Sequence, residues 1–143
     1  MMARDNGGQV ALEYLLIFAV SLILLIVFTM PMVQLAIADT MDVSDTLDAK
    51  SDMSKIAQAI EEVYGQGQGS KQTVHIVSSK NLKMDVASGS ISCSLKLKDG
   101  TSKVERIYFT STLKKSGLIL GKGENSIVVE WPQSAENMQI YVS

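Results

Sequence analysis

The stretch "YLLIFAVSLILLIVFTMPMVQLAIA", Tyr14 to Ala38, holds 25 consecutive residues without a charge. As an α-helix at about 1.5 Å per residue, such a run exceeds the ~30 Å hydrocarbon thickness of a bilayer. A soluble core helix does not need so long a run, so the sequence predicts a membrane-embedded helix. Pro31 lies inside it. Proline removes one backbone hydrogen bond and crowds the preceding turn, which predicts a kink near Phe28 to Pro31. Ser21 and Thr29 are expected to bond back to carbonyls one turn earlier, so they add little cost in lipid.

Around this run the chain is unremarkable in bulk. It has 143 residues, 46% of them hydrophobic, a mean hydropathy of +0.17 and a net charge of −2. That size suits one modest domain plus an added element. The charge balance gives no argument for nucleic-acid binding. Cys93 is the single cysteine, so no intrachain disulfide is possible, and in a strand-like run it reads as a small buried hydrophobe. His75, the single histidine, has no ligand cluster around it at metal spacing. No nucleophile–base spacing or phosphate loop is visible, and "GKGEN" (Gly121–Asn125) lacks the P-loop pattern and reads as a turn. An enzyme, a cofactor and a metal are therefore not expected.

Beyond Ala38 the character changes to "DTMDVSDTLDAKSDMSKIAQAIEEVYG". Met53, Ile56, Ala57, Ile60, Val63 and Tyr64 recur at three- and four-residue steps, the mark of an amphipathic helix. Gly65 supplies a stop. A helix from Gln9 to Tyr64 would be roughly 80 Å long. The aspartates at 39, 42, 45, 48 and 52 fall mostly on one arc and read as a solvated face. They lack a loop that would converge them on a cation. Because this arc overlaps the later apolar face, the helix is expected to change partner or bend near Ser51.

"GQGQGS" (Gly65–Ser70) reads as a flexible hinge, and a β-rich head follows. Gln72–Ser78, Ser90–Ser111, Asn125–Gln133 and Met138–Val142 carry strand patterns, with Asn81–Ala87 and Gly117–Leu120 weaker. Asp99-Gly100 favours a two-residue hairpin turn. That turn would face Leu95 with Val104, Ile91 with Tyr108 and Cys93 with Arg106; the last pair fits poorly, which leaves a bulge or longer loop open. The expected head is a mainly antiparallel sheet of four to six strands, burying one face on the Met53–Tyr64 stripe. Residues 39–64 carry seven acids and two lysines, and residues 65–143 carry ten basic and six acidic groups. This opposition favours contact of head with stem, within a molecule or between copies. The fold class is α+β: a long N-terminal helix on a small, mainly antiparallel sheet head.

The segment just ahead of the apolar run, "GGQVALEYLLI" (Gly7–Ile17), resembles the processing site of archaeal type IV pilin precursors with a class III signal peptide. Gly8 precedes the cut, Gln9 begins the mature chain, Ala11 stands where serine is usual, and Glu13 is the fifth mature residue. Ile17 stands where leucine is usual. The resemblance implies a leader at 1–8, an apolar transmembrane and filament-core helix at 9–38, a helical stem at 39–64 and an extracellular head at 65–143. It implies a prepilin peptidase cutting between Gly8 and Gln9, and an assembly ATPase and platform protein building the filament with other pilin subunits. The precursor would lie in the cell membrane and the product in a surface pilus used for adhesion. No Asn begins an N-x-Ser/Thr site, which argues against the N-glycans common in that family.

A carboxylate inside an apolar bundle is unfavourable unless paired. Glu13 is thus expected to pair with the new α-amino group at Gln9 of a neighbour and set the register. The simpler reading places it at headgroup level, solvated or paired with Arg4. Rival readings of the chain are a single-pass anchored binding protein that never polymerises and, ranked lower, an archaellin. A conventional secretory signal cut after "AIA" (Ala36–Ala38) is disfavoured by the length of the run, the weakly basic start and Glu13.

Overall fold

In the computed structural model, residues 6–111 and 113–143 are described. One helix, α1, spans Asn6–Gln66 and is unbroken through Pro31. Seven strands follow: β1 (Lys71–Ser78), β2 (Leu82–Ala87), β3 (Ser90–Lys96), β4 (Ser102–Tyr108), β5 (Ser116–Leu120), β6 (Gly123–Glu130) and β7 (Gln139–Val142). The chain divides into two compact units, Met1–Met41 and Asp42–Ser143.

The first unit is the apolar helix. Its large side chains from Val10 to Ile37 are exposed; Phe28, for example, keeps 72% of its surface. Ser21 Oγ donates to the Ile17 carbonyl and Thr29 Oγ1 to the Leu25 carbonyl, each at 2.8 Å, so their hydroxyls are satisfied within the helix as expected.

The second unit joins the later part of α1 to the strands, and it forms two sheets where one was expected. One has the order β1-β6-β7 and the other β4-β3-β2-β5, with all paired strands antiparallel. The sheets adjoin where β5 meets β7. Leu113 bridges Met138, and Ser116 Oγ donates to the Ile140 carbonyl at 3.3 Å. A single core runs between helix and sheets. Ala49, Met53, Ile56, Ala57, Ile60 and Val63 meet Ile76, Met84, Val86, Ile91, Leu118, Leu120, Ile127 and Val129. The three- and four-residue steps of the helix and the two-residue steps of the strands place these residues inward.

Three expectations are corrected. The helix does not stop at Gly65 but two residues on. Gly67, at φ +87°, donates its amide to the Val63 carbonyl at 3.1 Å and closes the helix in the left-handed conformation that glycine accepts. The "GQGQGS" segment is also no hinge. Gly69 N donates to the Trp131 carbonyl at 2.6 Å, and Gln68 Nε2 to the Ala135 carbonyl at 3.1 Å. Ser70 Oγ lies 2.9 Å from the Val63 carbonyl. Tyr64 stacks on Trp131 with ring centroids 5.7 Å apart. The polar composition that suggested flexibility instead supplies partners at the junction of helix and sheet.

The third correction is one of register. Between β3 and β4, Leu97 N donates to Thr101 O at 2.9 Å and Gly100 N to Leu97 O at 3.1 Å, with Gly100 at φ +85°. The loop therefore has three residues, Lys98 to Gly100, not two. Leu95 pairs with Lys103, Cys93 with Glu105 and Ile91 with Ile107. A one-residue slip turns every side chain of a strand over. Val104 and Tyr108, expected inside, are 61% and 74% exposed. Glu105 faces inward and receives Lys50 Nζ at 3.1 Å and Lys103 Nζ at 2.9 Å.

Candidate processing and assembly site

The candidate site begins with residues whose value lies in what they lack. Gly7 and Gly8 have no side chains, and both are helical in the first described turns of α1. A Cβ placed on Gly8 would meet nothing within 4 Å, so no packing there demands glycine. Helical glycine costs about 1 kcal/mol relative to alanine, and two in succession make local unwinding easier by about 2 kcal/mol. The Gly8–Gln9 bond therefore lies in helix that opens more easily than its alanine equivalent would. Residues 1–5 of the expected leader, and with them Arg4 as a partner for Glu13, lie outside the described residues.

Gln9 and Glu13 are one turn apart on α1, and both are exposed. The i, i+4 spacing puts them on the same face. From Tyr14 to Ile37 the same helix is apolar and its large side chains are exposed. A carboxylate at the first turn of such a surface is the only side chain in the stretch from Gln9 to Ala38 that bears a formal charge. Pro31 lacks an amide to offer the Val27 carbonyl four residues back, so the helix is weakest there without being broken.

The aspartates of the stem do more than solvate a face. Asp42 accepts the Lys98 amide through both carboxylate oxygens, at 3.2 and 3.1 Å. Asp45 pairs with Lys80. Asp52 is buried beside Lys55, at 3.5 Å, and burial pushes its carboxyl above the usual range despite that ammonium. The head is therefore engaged before Ser51 as well as after it: Thr46 and Ala49 are already buried. Asp45, Asp48, Asp52, Lys55 and Lys80 border a cavity of about 210 Å³. Opposed charges line it, and among the described residues no three His, Cys, Asp or Glu side chains converge as metal ligands.

Two other features were hidden from linear reading. His75 Nδ1 lies 3.0 Å from Ser126 Oγ across the β1–β6 pair, 51 residues apart in sequence. Both belong to the exposed surface of the first sheet, where this bond ties two strands. Cys93 is buried on β3, and desolvation, with a smaller contribution from Asp85, pushes its thiol up, as suits a packing residue.

Residues 8–32 match the family model described as Class III signal peptide. The comparisons with curated proteins and with solved structures found no match. The matched segment starts at Gly8, includes Gln9, Glu13 and Pro31, and covers most of the exposed apolar helix. Such a signal implies processing by a prepilin peptidase, handling by membrane assembly machinery, and a membrane-anchored precursor destined for the surface. A prepilin-type signal at the start of a membrane-length helix, with an antiparallel α+β unit after it, supports a type IV pilin-like protein.

Proposed function

We propose that the chain is a structural subunit of an archaeal type IV-like surface pilus that serves attachment. It is inserted in the membrane as a precursor and cut between Gly8 and Gln9. An assembly ATPase and a platform protein then carry it into the filament through its apolar helix. In this reading the head lies outside the cell and no reaction is catalysed. One observation carries it: a helix matched as a class III signal leaves every large apolar side chain from Val10 to Ile37 exposed. A signal that is removed whole would leave no such surface behind, whereas one cut ahead of the apolar run retains it.

Glu13 is assigned the register role. In a bundle of such helices the carboxylate needs a partner, and the amine released at Gln9 of a neighbour supplies it. N-terminal mass analysis of the membrane and sheared-surface fractions tests the reading. A chain beginning at Gln9, in filaments labelled by antibodies to the head, is the expected result. A start at Asp39 refutes it in favour of a secretory signal. An intact Met1, or a Gln9 start without filaments, refutes it in favour of a plain anchor.

A further inference from the structure

The sheet β4-β3-β2-β5 turns one face to the core and the other to water. Alternation sends Lys83, Lys96 and Arg106 outward, and Lys115, two residues ahead of the exposed Gly117, continues the pattern. All four cations are exposed, and none has an ion pair with a described residue. Asp85 is the one acid on this face, which therefore carries three net positive charges in a chain whose total is −2. Ser90, Ser92 and Ser94 run along β3 through its middle. The register sets Ser92 between Asp85 and Arg106, and Ser90 beside Tyr108, whose side chain is 74% exposed.

We propose that this face docks an anionic polysaccharide, one bearing carboxylate or sulfate groups. The proposal rests on the attachment reading above for the head's place outside the cell, and it names the chemistry of the surface attached to. Strands about 4.8 Å apart, rising about 3.4 Å per residue, put the Cα atoms of Lys83, Lys96 and Arg106 roughly 8–14 Å from one another. A glycan whose charges stand whole sugars apart matches that spacing. The serine hydroxyls offer donors and acceptors to sugar hydroxyls, and the Tyr108 ring offers a surface to the apolar face of a sugar. Duplex nucleic acid carries a charge about every 1.7 Å, far closer than these cations. Single strands are held by several stacking aromatics, and this face has one. A bilayer fits less well too. Val104 and Ile119 lie at opposite edges of the face with Ser94 and Lys83 between them, so no continuous apolar surface enters lipid. Nor does a second copy supply a ready complement. Asp42, Asp45, Glu105 and Glu130 are engaged within their own molecule, and Asp52 is buried.

The full chain in phosphatidylcholine nanodiscs tests this on surfaces coated with polygalacturonate, neutral dextran or duplex DNA. Binding to polygalacturonate, none to dextran and weaker binding to DNA are expected. DNA bound as tightly as polygalacturonate overturns the proposal in favour of nucleic acid. Discs that capture phosphatidylglycerol vesicles, or pair with one another, while ignoring polygalacturonate overturn it in favour of lipid or a second copy. Binding to no probe overturns it outright. Lys83→Gln with Arg106→Gln is expected to weaken polygalacturonate binding about ten-fold. Lys71→Gln, on the other sheet, should change it by no more than about two-fold, because charges beyond the ~8 Å Debye length are screened. Tyr108→Ala changes no charge and is expected to weaken binding several-fold. Parental binding by the double variant, or by Tyr108→Ala, overturns the assignment. All these positions are exposed, and unchanged thermal melts confirm that each variant folds. Binding is read apart from polymerisation. A chain that binds polygalacturonate but forms no filaments overturns the assembly reading alone, and filaments that ignore polygalacturonate overturn this inference alone.

Discussion

Ile60 is fully buried on the inner face of α1, in the core that also holds Met84, Val86 and Val129. Ile60→Ala removes three carbons from this seam. At about 0.8 kcal/mol per buried carbon, the lost transfer free energy is about 2.4 kcal/mol. The unfilled cavity raises the expected destabilisation to about 3–4 kcal/mol. The folding unit has roughly 100 residues, where 1 kcal/mol moves Tm by about 4–8 °C, so a fall of at least 12 °C is expected. Glu61→Ala, one residue on and exposed, is the control and should move Tm by no more than a few degrees. The assay is a thermal melt of the detergent-solubilised chain followed by Trp131 fluorescence, since that indole stacks on Tyr64 at the helix end. Far-ultraviolet dichroism at low temperature checks that α1 persists. If Ile60→Ala melts within about 3 °C of Glu61→Ala, less than 1 kcal/mol has been lost, and the helix does not form the core wall described above.

Three further outcomes are expected. Glu13→Ala should insert in the membrane at the parental level but be absent from filaments, checked by fractionation and by immunoblot of sheared pili; normal incorporation refutes the register role. Asp52→Asn should stabilise the second unit at neutral pH. Burial raises the folded-state pKa of Asp52, so its stability contribution is present below the unfolded pKa and lost as pH rises through the folded one. Melts from pH 4 to 8 should therefore show a smaller loss toward neutrality in the variant; parallel profiles count against the assignment. The neighbouring Lys55, Asp48 and the Asp45–Lys80 pair stay in place in that comparison. Gly100→Ala should cost about 1–2 kcal/mol, because φ of +85° is strained for an L side chain, read as a lower urea midpoint at unchanged m.

Much was legible in one dimension because its physics is local. Twenty-five residues without charge demand a nonpolar surround whatever the rest of the chain does, and Gly8, Gln9 and Glu13 precede them in a recognisable pattern. Three- and four-residue spacing declared the buried face from Met53 to Val63, and alternation declared β1 and β3. The weaker patterns at 81–87 and 117–120 also proved to hold strands, β2 and β5, paired with each other at Met84 and Leu118.

The remainder depended on partners distant in sequence. Asp99-Gly100 announced a turn, but whether its loop held two residues or three was decided by Glu105 turning inward to Lys50, a helix residue 55 positions earlier. That one-residue difference put Val104 and Tyr108 on the surface. Composition made 65–70 look like a hinge, since nothing in its six residues names Trp131, Ala135 or Val63 as hydrogen-bond partners. The aspartate arc looked like a solvated face because charge alone does not reveal that Lys80 and the Lys98 amide come to meet Asp45 and Asp42. Local spacing and polarity determined which elements form and which of their faces seek burial. Strand register, the division into two sheets and the capture of the stem aspartates were left to tertiary structure, because each is the choice of a partner that only the folded chain brings near.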